Sequence, residues 1–449
     1  MKLTFYGGVK EVTGSNYVVE HDGVKIMIDC GLIQGGYFSE ERNWEPFAYN
    51  PKEIAAVFLT HAHIDHSGRL PKLVKNGFRG KVYSTPPTRD FANLLLLDSE
   101  HVMLQAAERL KKQPLYTILD IEQLMTLWEG MPYHQPLIIG PFKITLFKSA
   151  HILGSAMVLV EAGNRNLLFT GDLGNSPAPL LGVPDTLENH NVDYCVVESA
   201  YGDRIHPPEK VGVIEDLIEN TFKAGGVLMI PAFAMERTQK LLFEINELVE
   251  NNRVPRVPIF LDSPLAIKIT EVYKRYKDYF DKATLKLLKG EDHMLFDFPG
   301  LKKTLTTEES RAILAVKPPK VIIAGSGMSQ GGRILHHEKN YLPDPNSAII
   351  FIGYQAKGSL GRRIQEGVAT VTIHGETVLV RCHILSVEGY SAHADQKQIL
   401  EWLAPMRFTL KQVFAVQGEE DQSQALAHRV VNDLAIRAEI PEIGKSYEL

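Results

Sequence analysis

At 449 residues the chain is too long for one ordinary hydrophobic core, and two domains are expected. Its composition is globular (44% apolar, 23% charged), and a formal net charge of -6 excludes a protein that coats nucleic acid indiscriminately; a polyanion would have to be met in a local basic cleft. Cys30, Cys195 and Cys382 stand far apart in apolar runs with no CxxC, which suits free thiols in a reducing compartment. With no apolar signal core behind Met1 and no stretch of membrane-span length, a cytoplasmic protein without a membrane partner is expected.

In chain order, residues 2–6, 15–20 and 24–30 read as strands, the last two joined by a hairpin turn at His21-Asp22-Gly23, and Asp29 closes the third. The apolar run Ile54–Leu59 reads as a buried strand that empties into Thr60-His61-Ala62-His63-Ile64-Asp65-His66-Ser67-Gly68. Strand exits are where α/β proteins place chemistry. In extended chain His61 and His63 project to the same side and can share a metal, while the following turn swings Asp65 and His66 toward a second position. A helix from Pro71, a strand at 80–84, a long amphipathic helix over 88–112 and a further helix at 120–129 follow. A second β section spans 135–171, with His151 and Asp172 at strand ends. Beside a histidine-rich loop, these supply a third imidazole and a carboxylate able to bridge two cations.

The strand Tyr194–Ser199 carries a carboxylate, Glu198, at its end. Helices at 208–223, 236–250 and 264–277 then alternate with strands at 226–230 and 257–261, and a charged helical stretch runs to about 316. With strands 321–324 and 347–352, this implies a doubly wound parallel sheet inserted in the first domain. The glycine-rich turn Gly325–Arg333 can hold phosphate on its backbone amides, with Ser326, Gly327, Met328 and Arg333 as the candidate RNA contacts. Lys357, Arg362 and Arg363 add positive charge nearby. From 369 the β texture returns. Gly389–Asp395 then precedes a helix that Asp395 can cap, strand 413–416 leads into Gln417-Gly418-Glu419, and a last helix covers 422–438. The expected domains are 1–205 and 369–449 for the first and 206–368 for the insertion.

The set Asp29, His61-x-His63-x-Asp65-His66, His151 and Asp172 resembles the metal motifs of the metallo-β-lactamase fold. Glu198, Pro231–Gln239, Gly325–Met328 and Ser391–Asp395 are similar to the β-CASP branch, and within it to the endonuclease subunit of the eukaryotic cleavage and polyadenylation machinery and its prokaryotic relatives. The resemblance runs from Gly7 to Pro441, with no separate RNA-binding domain expected at either end. It implies an αββα sandwich interrupted by the β-CASP domain, two zinc ions, and cleavage of single-stranded RNA by endonuclease or 5'-to-3' exonuclease action. One zinc would be held by His61, His63 and His151, the other by Asp65 and His66, with Asp172 bridging and Asp29 in support. His393 and Glu198 would form the acid and its orienting partner, and Asp65 would accept the proton of the attacking water. RNA-cleaving relatives carry histidine where this chain has Gln417. An amide is a weaker ligand than imidazole, so the second metal is expected to bind loosely. Three rivals stay open: a thioester or lactam hydrolase on the same sandwich, an inactive RNA-binding subunit, and a DNA nuclease of identical chemistry. A homodimer is compatible with the sequence.

Overall fold

The computed structural model describes residues 1–35, 40–207, 212–289, 295–387 and 390–449, Lys289 by its backbone alone. Gly389 and positions 208–211 of the expected helix lie outside these. The chain forms two compact units, Met1–Ile205 with His393–Leu449, and His206–Ala392.

The first unit is a sandwich of two seven-stranded sheets. In one, Lys2–Gly7, Asn16–His21 and Val24–Ile28 pair antiparallel, then Ile54–Phe58, Lys81–Ser84 and Trp128–Gly130 add in parallel, with Ser446–Glu448 on the opposite edge. In the other, Leu137–Ile139, Phe142–Lys148, Ala156–Ala162 and Arg165–Phe169 are antiparallel, and Tyr194–Glu198, Gln412–Val416 and Arg437–Glu439 continue in parallel. Alternate residues of both sheets meet in one core that includes Phe5, Phe58, Phe142, Phe169 and Phe414. Each such buried phenyl contributes about 1.5–3 kcal/mol. The outer face of the second sheet packs on the helices Gln396–Leu403 and Glu420–Leu434 through Leu159, Leu168, Ile399, Leu403, Leu426 and Val430. The helices Leu70–Lys75, Pro86–Leu110 and Ile118–Thr126 pack on one another. The αββα order is met.

The second unit has a six-stranded, wholly parallel sheet, in spatial order Leu301–Lys303, Ile259–Asp262, Lys320–Ala324, Val227–Pro231, Ala348–Phe351 and His383–Ser386. The last strand corrects the expected second crossing at 368/369. Ala348 pairs with His383 and Phe351 with Ser386, and Val371, Ile373 and Val378 of the hairpin before it are buried in this unit's core, so the unit extends to Ala392. Four short strands went unread. Trp128–Gly130 interrupts the helix expected to 129, Leu301–Lys303 lies within the charged stretch, Arg437–Glu439 follows a last helix that ends at Leu434, and Ser446–Glu448 closes the chain. All three cysteines are buried and free. Among the described residues no helix is long and apolar enough to cross a membrane.

Candidate metal centre

The loop after Ile54–Phe58 is fixed from beneath by Asp29, which closes the neighbouring strand in a left-handed conformation (φ 57). Its Oδ1 accepts the Thr60 N–H at 2.8 Å, and its Oδ2 accepts the Thr60 hydroxyl at 2.8 Å and lies 2.7 Å from His66 Nδ1. The Thr60 oxygen in turn lies 3.1 Å from His61 Nδ1. With Nδ1 of both rings carrying the proton toward these oxygens, each Nε2 turns a lone pair inward, as metal-binding imidazoles require. Gly31 is needed for the closure, since a Cβ there would fall 1.5 Å from the Asp65 carbonyl oxygen. His151 is set by its N–H to Ser155 Oγ (3.0 Å). Asp172 follows Gly171, whose φ of 52 and close approach to Thr60 admit no side chain.

These elements bring together His61, His63, His151 and Asp172, as the sequence pattern led us to expect. His61 Nε2 lies 3.1 Å from His63 Nδ1, which lies 3.3 Å from His151 Nε2, and Asp172 Oδ2 is 3.4 Å from both His61 and His151. A tetrahedral ion with metal–nitrogen bonds of about 2.0–2.1 Å needs ligand atoms about 3.3 Å apart. The donor set fits a metal by type and spacing. Burial first, and neighbouring imidazoles second, hold His63 well below the usual imidazole range. Burial likewise depresses His151 despite the Asp172 carboxylate, which leaves both rings neutral for ligation.

Asp172, Glu198 and His393 also converge. Here the geometry is that of an ion pair: His393 Nδ1 faces Glu198 Oε2 at 3.0 Å, and Glu198 Oε1 accepts the Leu173 N–H at 2.5 Å. Burial pulls the imidazolium down, but Glu198 and then Asp172 outweigh it and push His393 up to about 10. Burial also raises Glu198. The two shifts would compete for one proton, and it belongs on His393: that ring is partly exposed, whereas the fully buried carboxylate already accepts a backbone N–H.

Asp65 and His66 are arranged differently. His66 Nε2 is 3.2 Å from Asp172 Oδ1 but 3.8 Å from Asp65 Oδ2, and the Gln417 side chain reaches both His66 and Asp172. In the second unit, the glycine-rich loop is closed by its own bonds: Ser326 Oγ accepts the Gln330 N–H, and Gly327 O accepts from Gln355 Nε2. Arg333 does not fit the expected phosphate contact. Its guanidinium donates to Asp262 (2.8 Å) and to the carbonyls of Thr304 and Leu305, and Asp262 also binds Ser310, Thr304 and His337. Sequence reasoning passed over Asp262, although a carboxylate ending an apolar strand is the signal that picked out Glu198. Gln355 and Thr60 carried no signal beyond their neighbours.

The sequence matches the metallo-beta-lactamase superfamily over residues 9–194, the Beta-Casp domain over 238–364, and the Zn-dependent metallo-hydrolase RNA specificity domain over 377–441. It is 38% identical over 429 residues to "Ribonuclease TTHA0252" of Thermus thermophilus, covering 95% of each chain. It is 32% identical to "Transcription termination factor FttA" of Methanosarcina mazei, covering 97% of this chain and 70% of that protein. A solved structure of a protein of unknown function from Enterococcus faecalis superposes over 100% of this chain and 99% of that one, at a TM-score of 0.57 and 13% identity, a likeness of fold alone. With its sandwich, its parallel-sheet insertion and its histidine–aspartate centre, the chain belongs to the Beta-Casp branch of the metallo-β-lactamase superfamily, a family of metal-dependent hydrolases.

Proposed function

We propose that the chain is a zinc-dependent ribonuclease that hydrolyses phosphodiester bonds of single-stranded RNA. The observation that carries this reading is a set of three imidazoles and a carboxylate at the spacing of ligands about one ion, beside a cationic His393. His61, His63, His151 and Asp172 would hold the ion, whose chemistry is to polarise a phosphate oxygen and lower the pKa of a water. Asp65 takes the proton of the attacking water. As the oxygen–phosphorus bond forms and the bond to the 3'-oxygen breaks, His393 gives its proton to that leaving oxygen while Glu198 keeps the ring oriented. The name of the Thermus relative and the RNA-specificity match over 377–441 favour RNA over DNA.

Phe233 and Tyr354 support a single-stranded substrate. They follow the adjacent parallel strands Val227–Pro231 and Ala348–Phe351, and are 42% and 60% exposed. Exposed rings past the C-terminal ends of neighbouring strands offer faces on which unpaired bases stack. The test is incubation of the purified protein with end-labelled single-stranded RNA and DNA of one sequence. Cleavage of the RNA is expected. Cleavage of the DNA alone would replace this reading by the DNA nuclease, and cleavage of neither by the inactive binding subunit.

A further inference from the structure

We propose that the Gln417 amide stands where a second cation would sit, so that the chain holds one resident metal ion rather than two. The inference rests on the metal-dependent reading above. Its ground is a contrast between the two halves of the centre. Around the first position the donor atoms stand 3.1–3.4 Å apart, the spacing of ligands about a shared ion. Around the second, Gln417 Nε2 lies 2.6 Å from His66 Nε2, a hydrogen-bond separation and well short of the roughly 3.3 Å edge of a tetrahedral zinc site.

The side-chain contacts agree. His66 Nδ1 faces Asp29 Oδ2 at 2.7 Å, which leaves Nε2 as the ring atom turned toward the second position. The Gln417 amide nitrogen stands 2.6 Å from that Nε2 and donates to Asp172 Oδ1 at 3.1 Å. These are the two atoms that a second ion would draw on, and one side chain contacts both. Turned over, its oxygen would face the Asp172 carboxylate oxygen at the same distance, acceptor against acceptor. Asp65 does not compensate: among the described residues it joins no group of three His, Cys, Asp or Glu ligand atoms within 4.8 Å of one another.

The backbone gives the side chain little room to withdraw. Gln417 has a left-handed φ of 51, its N–H donates to Gly8 O at 2.7 Å, and a Cβ at the following Gly418 would fall 2.5 Å from Ser199 Oγ. The amide is buried between His66 and Asp172. It meets them without the charge or the Lewis acidity of an ion, which leaves the first position to do the metal chemistry.

Equilibrium dialysis against Zn²⁺ followed by elemental analysis tests the proposal without recourse to activity. The parent chain should hold one zinc. Gln417→His should hold two, the second bound at least about tenfold more tightly than any second ion in the parent. Gln417→Glu keeps the side-chain shape and exchanges amide protons for acceptor oxygens; it should also bind two, which keeps the test decisive if the histidine variant misfolds. Two tightly held zincs in the parent, or one in both folded variants, would overturn the proposal. A parent that binds no metal would instead sink the metal-dependent reading itself, and one that binds a single zinc but leaves RNA intact would sink only the ribonuclease reading.

Discussion

His63 has a role that can be separated from folding. Its Nδ1 completes the donor set against His61 and His151, yet no backbone element depends on its ring. His63→Ala should therefore lose the metal and RNA cleavage together while unfolding at nearly the temperature of the metal-free parent, which elemental analysis and a thermal melt would check. His393 makes a different prediction. It pairs with Glu198 rather than completing the tetrahedral set, so His393→Ala should keep its metal and lose about 10²–10⁴-fold in cleavage rate, the usual worth of a positioned acid. A variant that lost its metal would show that His393 is a ligand instead. The residues of this centre were legible because ligands must be specific residue types at specific strand ends. The placement of the Gln417 amide was not, because it depends on how three distant segments bring His66, Asp172 and Gln417 together.

Among the elements, the long apolar strands and amphipathic helices could be read from periodicity, whereas the three-residue strands could not. Trp128–Gly130, Leu301–Lys303 and Arg437–Glu439 are edge strands whose pairing comes from the neighbouring strand and not from their own pattern. The hairpin at 370–379 was legible as β structure, but its unit was decided by the burial of Val371, Ile373 and Val378. The glycine-rich loop looked like a phosphate cradle, and its arginine proved to be held by Asp262. Behind that loop, Ser329 Oγ donates to Glu338, a fully buried side chain on the helix Ile334–Tyr341 that burial pushes up to about 8. Its folded value exceeds the ordinary 4.5, so the fold favours the protonated form. That contribution is complete below about 4.5 and is lost as pH rises through about 8. Glu338→Gln cannot ionise, and its melting temperature should fall less steeply than the parent's between pH 5 and 8. Parallel curves would mean that Glu338 does not titrate in that window. In the same unit, Phe233→Ala and Tyr354→Ala should each weaken binding of single-stranded RNA by about 1–3 kcal/mol and leave binding of an abasic phosphodiester chain unchanged. Equal losses on both ligands, read by fluorescence anisotropy, would exclude base stacking.

For the whole molecule, a formal charge of -6 means that RNA is held by local contacts against an unfavourable mean field, and its affinity should fall steeply with salt. The sandwich unit holds His61, His63, His151, Asp172 and the His393–Glu198 pair, and the parallel-sheet unit carries the exposed rings Phe233 and Tyr354. The insertion of a second unit was readable from the change of texture after Glu198, while its extent waited on the pairing of His383–Ser386. The proposed mechanism requires an ion held by His61, His63, His151 and Asp172 for RNA to be cut. Its most direct test is to strip the protein with a chelator, confirm by elemental analysis that it is metal-free, and follow a labelled single-stranded RNA before and after one equivalent of Zn²⁺ is returned. No cleavage by the stripped protein is expected, with recovery on addition of the ion and no recovery in His63→Ala. Cleavage at the parent rate by metal-free protein would contradict it.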